Sequence, residues 1–226
     1  MTMQEKATAV YEQLVDTYGE RDLSPRREPM HELVSTMLSH RTTHADEERA
    51  YYRMMERFKT WEGVRDAPVD ELTEAIASSR YPGSKAPNIQ KTLTRIIDER
   101  GKANIDFLAD LSTEDALEWL VALPGVGVKT ATLVLLFCFH KPVLPVDTHL
   151  HRVSGRLGLI GPKVSAEKAH DELLELLPKD AQVLLTFHKD MLRHGQRVCT
   201  YSTPKCERCS LRDLCEYYQE TRAVPF

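Results

Sequence analysis

The sequence lacks any long apolar run. Its longest, Thr130 to Phe139, is far shorter than the roughly 20 residues a helix needs to cross a bilayer, which excludes a membrane-spanning helix there. The N-terminal stretch MTMQEKATAVYEQL lacks the basic-then-apolar order of a secretory signal, so the expected location is the cytoplasm. There is no excess of positive charge: 30 Lys and Arg stand against 34 Asp and Glu, a net charge of −4. That argues against indiscriminate coating of nucleic acid but leaves room for a local basic patch. Alternating apolar–polar stretches are missing too, which removes strands from the expected fold. Cysteines are few and odd in number, five in all. Without a signal segment they make a poor disulfide framework.

What the chain does have is helical periodicity almost throughout. Val10, Leu14 and Tyr18 recur at helix spacing before Gly19. Glu20 to Glu28 is mostly polar, contains Pro25 and reads as a linker. Pro29 suits a first helical position, with Leu33, Val34, Met37 and Leu38 on one face. Further stripes follow at Tyr51, Met54, Met55 and Phe58, at Val69, Leu72 and Ile76, and at Ile89, Leu93, Ile96 and Ile97. Tyr81-Pro82-Gly83 reads as a turn. Ser112 and Asp115 form a capping-box pattern ahead of Leu117 and Leu120. Helical patterns also cover Thr148 to Leu157, Ser165 to Leu177 and Ala181 to His194. The expected fold is all-α, with 226 residues sufficing for one large or two small domains.

The segment LPGVGVKTATLVLLFCFHKPVLPVDTH, Leu123 to His149, carries the chemistry. Gly125, Val126 and Gly127 make a tight turn into a helix from about Val128 to Phe139. Glycines there let the backbone adopt positive φ and approach a ligand closely. The first N–H groups of the following helix have no intrahelical partner and favour a phosphate. The turn therefore reads either as an ordinary helix connection or as a sequence-independent grip on a nucleic-acid backbone. Lys129 sits in the first turn of an apolar helix. It is either a solvated surface group or a partly desolvated amine whose pKa is lowered by its surroundings and by the helix N-terminus, hence a nucleophile. Asp147 reads as the N-cap of the helix beginning at Thr148, a position that also aims its carboxylate. Cys138, inside the apolar run, reads as a small buried hydrophobe.

The other cysteines, Cys199, Cys206, Cys209 and Cys215, are spaced C-x6-C-x2-C-x5-C. Four thiolates in a short loop suit zinc or an iron–sulfur cluster. A zinc ribbon ordinarily has two C-x2-C pairs, and this loop has one. Arg197, Lys205, Arg208 and Arg212 give the loop a basic face, read as solvated or as a contact to DNA phosphates.

Leu123-Pro-Gly-Val-Gly-Val-Lys129-Thr-Ala, then Val146-Asp147-Thr-His149 with Arg152 and the four-cysteine spacing, resembles the endonuclease III branch of the helix-hairpin-helix DNA glycosylase superfamily. The resemblance covers nearly the whole chain. It implies a two-domain fold: a six-helix barrel over residues 29–141 carrying the hairpin, and an iron–sulfur domain formed by residues 1–28 and 142–226, with the active-site cleft between them. It implies a [4Fe-4S] cluster on the four cysteines. It implies a bifunctional base excision repair enzyme that removes oxidised pyrimidines from duplex DNA and nicks the abasic site. Lys129 would attack C1′ and form a Schiff base, Asp147 would assist, and β-elimination would follow. The partner would be double-stranded DNA with a damaged base or abasic site, bound by a monomer at the nucleoid.

Four positions depart from the family pattern: His40, Arg41, His44, which replaces an acid, and Tyr81. Relatives acting on oxidised pyrimidines commonly read L-S-A-Q-x-T-D where this chain reads Leu38-Ser39-His40-Arg41-Thr42-Thr43-His44. Arg41 thus replaces the glutamine that fills the gap left by an extruded base. Tyr81 aligns with the intercalating leucine, and a tyrosine can stack between bases.

Overall fold

The computed structural model describes residues 1–25 and 27–223. Among them are twelve α-helices and no strand: α1 Met3–Tyr18, α2 Pro29–Ser39, α3 His44–Phe58, α4 Trp61–Asp66, α5 Val69–Ala75, α6 Pro82–Arg100, α7 Thr113–Val121, α8 Val128–Phe139, α9 Thr148–Leu157, α10 Ala166–Leu174, α11 Ala181–Arg197 and α12 Glu216–Ala223. The caps follow the local sequence. Thr2 and Glu5 make a reciprocal capping box on α1, and Gly19 ends that helix at φ +80°. Pro29 opens α2. The Ser112 side chain accepts from the Asp115 N–H at the start of α7.

The chain divides into two compact units, one formed by Met1–Ser24 with the chain from His140 onward, the other by Pro25–Phe139. In the second unit α8 packs on α2 and α7, and α6 packs on α2, α4 and α5. The apolar run of α8 is its anchor, because Ala131, Thr132, Val134, Leu135 and Leu136 are buried. The buried Thr132 hydroxyl donates to the Val128 and Lys129 carbonyls, at 2.8 and 3.1 Å, so its polar atom is not stranded. Cys138 lies in this helix with its thiol pushed up to about 12 by burial, which makes it an inert packing group.

In the first unit α9 packs against α10, α11 and α12, and α1 against α11. Close approach of α9 and α11 rests on Gly195: a Cβ there would stand 2.8 Å from the His149 Cβ.

Two local expectations change. Tyr81-Pro82-Gly83 is the start of α6 rather than a separate turn. Tyr81 is its N-cap in the left-handed conformation, with Pro82 at the first position. The additional helix α4 buries only Val64, so it carries no periodic stripe. The Thr60 side chain, accepting from the Gly63 N–H at 3.0 Å, starts it instead.

Candidate active site and cysteine loop

Between α7 and α8 the chain turns through Gly125 at φ +76°. A Cβ at that glycine would lie 2.9 Å from the Asn88 Cβ of α6, so conformation and space both demand glycine. Gly127 differs from expectation: it does not adopt positive φ, and it faces open space. Thr92 of α6 holds the turn by donating to the Pro124 carbonyl at 2.5 Å. Val126 is buried while Gly125 and Gly127 are exposed. Ala131 N–H bonds to the Gly127 carbonyl at 3.0 Å; the N–H groups preceding it have no acceptor within the helix. This exposed helix start offers backbone donors to an anion.

Lys129, in the first turn of α8, is half-buried. Its amine makes no hydrogen bond or ion pair to any described residue. Its charge nevertheless acts on a neighbour. The pKa of exposed His40 is pushed down, first by partial desolvation and then by Lys129, Lys85 and Arg41. Three cations therefore converge on one imidazole beside the hairpin helix.

Two non-glycine residues next to this basic pole hold positive φ, Arg41 at +52° and Tyr81 at +59°. Both are exposed, and the Arg41 guanidinium reaches the Tyr81 hydroxyl at 3.5 Å. Side chains rarely sit in the left-handed region unless the surroundings enforce it. Here Lys85 braces the chain on either side of Arg41. Its buried ammonium donates to the Leu38 carbonyl at 2.5 Å and to the His40 carbonyl and Thr42 hydroxyl at 3.0 Å each. The Thr42 hydroxyl also accepts from the Arg80 N–H at 3.0 Å. One lysine thus ties the end of α2 to the start of α6. Burial pushes Lys85 down to about 8. Nothing in the spacing of Lys85 announces this latch, since its partners lie 43 to 47 positions away.

In the other unit, the segment leading to Asp147 is buried from Val143 to Val146. Asp147 caps α9: its Oδ1 accepts from the N–H groups of His149 and Leu150, at 2.8 and 2.7 Å. Its Oδ2 takes no hydrogen bond from any described residue. Arg152 bridges the first turns of α9 to the cysteine loop, contacting His149 Nδ1 at 3.2 Å, the Gly195 carbonyl at 2.8 Å and the Cys199 carbonyl at 3.0 Å.

Cys199, Cys206, Cys209 and Cys215 border one recess together with Arg156, Lys205, Arg212 and Tyr217. None is in a disulfide. Among the described residues no three His, Cys, Asp or Glu side chains gather closely enough to hold a single metal ion. Arg156 donates to the Cys199 sulfur at 3.2 Å and to the Thr200 and Tyr201 carbonyls at 2.7 and 2.8 Å. Buried His194 places Nε2 3.3 Å from the Cys209 sulfur and Nδ1 3.0 Å from the Tyr18 hydroxyl. Sequence reading missed both partners of the thiols. Arg208 and Arg212 lie exposed in the short turns between the cysteines.

The model of the HhH-GPD superfamily base excision DNA repair proteins matches residues 34–179. Endonuclease III of Thermotoga maritima is 35% identical over 192 residues, covering 85% of this chain and 84% of that protein. The solved non-covalent endonuclease III–DNA complex superposes with a TM-score of 0.84 at 28% identity, covering 99% of this chain and all of that one. A trapped endonuclease III–DNA covalent intermediate gives 0.83 at 28%, covering 98% of this chain. The family model covers more than half of the chain and the relative is matched over most of its length: the chain belongs to the endonuclease III family of HhH-GPD base excision DNA repair proteins.

Proposed function

We propose that this chain is a bifunctional DNA glycosylase and abasic-site lyase that removes oxidised pyrimidines from duplex DNA. The observation that carries the reading is Lys129: an amine with no partner among the described residues, anchored on a buried apolar helix at an exposed glycine turn. The covalent trapping of a relative on DNA supports an amine that bonds to its substrate. In the proposed reaction the Lys129 amine, having lost its proton, attacks C1′ of the damaged nucleoside. The bond from C1′ to the base breaks and the base leaves with the electron pair, taking up a proton. The sugar ring opens to an imine, C1′=N. Loss of a C2′ proton then expels the 3′ phosphate and nicks the strand, and water releases the amine. Asp147, with one oxygen pinned by α9 and the other uncommitted, supports base departure by taking a proton or balancing charge on the sugar.

The hairpin at Gly125, Val126 and Gly127 holds the DNA backbone through the free N–H groups at the start of α8, the Val126 N–H being bonded to the Leu123 carbonyl. Arg41 and Tyr81 fill the gap left by the extruded nucleotide, the tyrosine stacking and the guanidinium addressing the orphan base. Arg208 and Arg212 give the cysteine loop a grip on phosphates.

The four cysteines fit a [4Fe-4S] cluster. Burial is the first cause raising the pKa of Cys206, Cys209 and Cys215, Cys209 to about 11. Such thiols stay protonated until a metal replaces the proton. They share a recess without forming a single-ion site. In a four-iron cluster each thiolate takes its own iron, so the sulfurs stand further apart than around one zinc. The cluster supplies a rigid centre that organises the basic loop.

Borohydride trapping on a duplex carrying one thymine glycol tests the reading. A covalent adduct on the lesion duplex and none on undamaged DNA is expected. No adduct there and none on a pre-formed abasic site would overturn it. Iron and acid-labile sulfide in equal amounts would accompany the purified protein if the cluster reading holds; zinc without sulfide would refute it.

A further inference from the structure

The buried arm preceding Asp147 raises a polar problem. Val143, Leu144 and Val146 are each 4% exposed or less, and Pro145 has no N–H to join a ladder. No sheet is present among the described residues to satisfy the carbonyls of this non-helical segment, and buried carbonyls need donors. Two successive ones are met by two buried imidazoles from different helices. His170 of α10 places Nδ1 2.8 Å from the Leu144 carbonyl. His188 of α11 places Nδ1 2.8 Å from the Pro145 carbonyl. A carbonyl only accepts, so each Nδ1 carries the proton. Two successive peptide planes just ahead of Asp147 are therefore held by side chains from two different helices.

We infer that His170 and His188 are positioning residues for Asp147, a clasp from two helices that fixes the direction in which the carboxylate oxygen not held by the cap points. Apolar side chains would fill the same volume but leave two carbonyls without donors. The clasp works with the α9 cap: the histidines fix the backbone before Asp147, and the His149 and Leu150 N–H groups fix its Oδ1. The inference rests on the proposed role of Asp147 in base removal.

The test compares two steps in one set of variants. Single-turnover base removal from the thymine glycol duplex at saturating enzyme reports the rate constant of the folded fraction, whatever its size. Borohydride trapping on a pre-formed abasic duplex reports Lys129 chemistry after the base has gone. His170→Ala and His188→Ala should each slow base removal about tenfold or more, the scale on which sub-ångström misplacement acts, with a smaller change in trapping. His170→Asn and His188→Asn, whose side-chain N–H lies near the position of Nδ1–H, should recover most of the rate. Equal losses in both steps, or no recovery with asparagine, would reduce the pair to fold support and overturn the inference. Asp147→Asn is run alongside. If it leaves base removal at the wild-type rate, the role of Asp147 itself falls; if it slows that step while the histidine variants do not, only the clasp falls.

Discussion

Two helices of the unit Pro25–Phe139 carry a lysine in their opening turn, and the two amines have opposite fates. Lys85 near the start of α6 is buried and donates to three oxygens. Lys129 at the start of α8 is half-buried and bonded to no described residue. Burial holds Lys85 at about 8, which by itself would favour a nucleophile. Geometry decides otherwise. The Lys85 amine is committed to the carbonyls of α2 and shut away from any substrate. Lys129, half-buried and bonded to no described residue, is the amine still free to meet a substrate.

The sharpest way to break this comparison is Lys129→Ala. It should abolish borohydride trapping on abasic DNA while DNA affinity is kept; a persistent adduct would name another amine. Lys85→Met should do the reverse. It removes the donor to the Leu38 carbonyl, while the Thr42 hydroxyl and the His40 carbonyl stay bonded to each other and the hydroxyl keeps the Arg80 N–H; the cost is about 1–3 kcal/mol for the one group left unsatisfied, read as a lowered urea midpoint. The trapping rate constant at saturating enzyme should survive, and its loss with stability intact would make Lys85 part of the chemistry. Amine acetylation followed by peptide mass spectrometry should mark Lys129 well before Lys85; equal labelling would contradict the buried latch. Arg41→Ala should change the preference for the base opposite the lesion, and identical rates opposite all four bases would remove it from the gap. The smallest effect is expected at the cysteine loop. Arg208→Gln with Arg212→Gln should lower the salt dependence of DNA affinity by about 0.9 in log–log slope for each phosphate the pair neutralises, and an unchanged slope would place the loop off the DNA.

The same contrast explains how much the sequence could disclose. The hairpin glycine, the lysine behind it, the capping aspartate and the cysteine spacing are all local patterns. Each states its geometry within a few residues. Lys85, His170, His188 and His194 act on groups 15 to 47 positions away, and no periodicity encodes such partners. Tyr81 shows a mixed case. Its Pro-Gly neighbours promise a turn, but proline also suits the first position of a helix, and packing chooses that use. Gly127 shows another: its freedom from a side chain matters for open space, while Gly125 alone needs the left-handed backbone.

The order of segments along the chain has a consequence for synthesis. Helix α1 emerges first, yet its partner α11 begins only at Ala181, with the whole of the second unit made in between. At about 5–20 residues per second this delay amounts to roughly 8–30 seconds. Throughout it Ala7, Val10 and Leu14, all buried in the finished protein, have no native surface to cover them. Lys6, paired at 2.8 Å with Glu216, waits longer still. A nascent chain from which Phe139 has just cleared the ribosome thus holds helices α2–α8 together with the uncovered apolar stripe of α1, the form in which a chaperone would meet it.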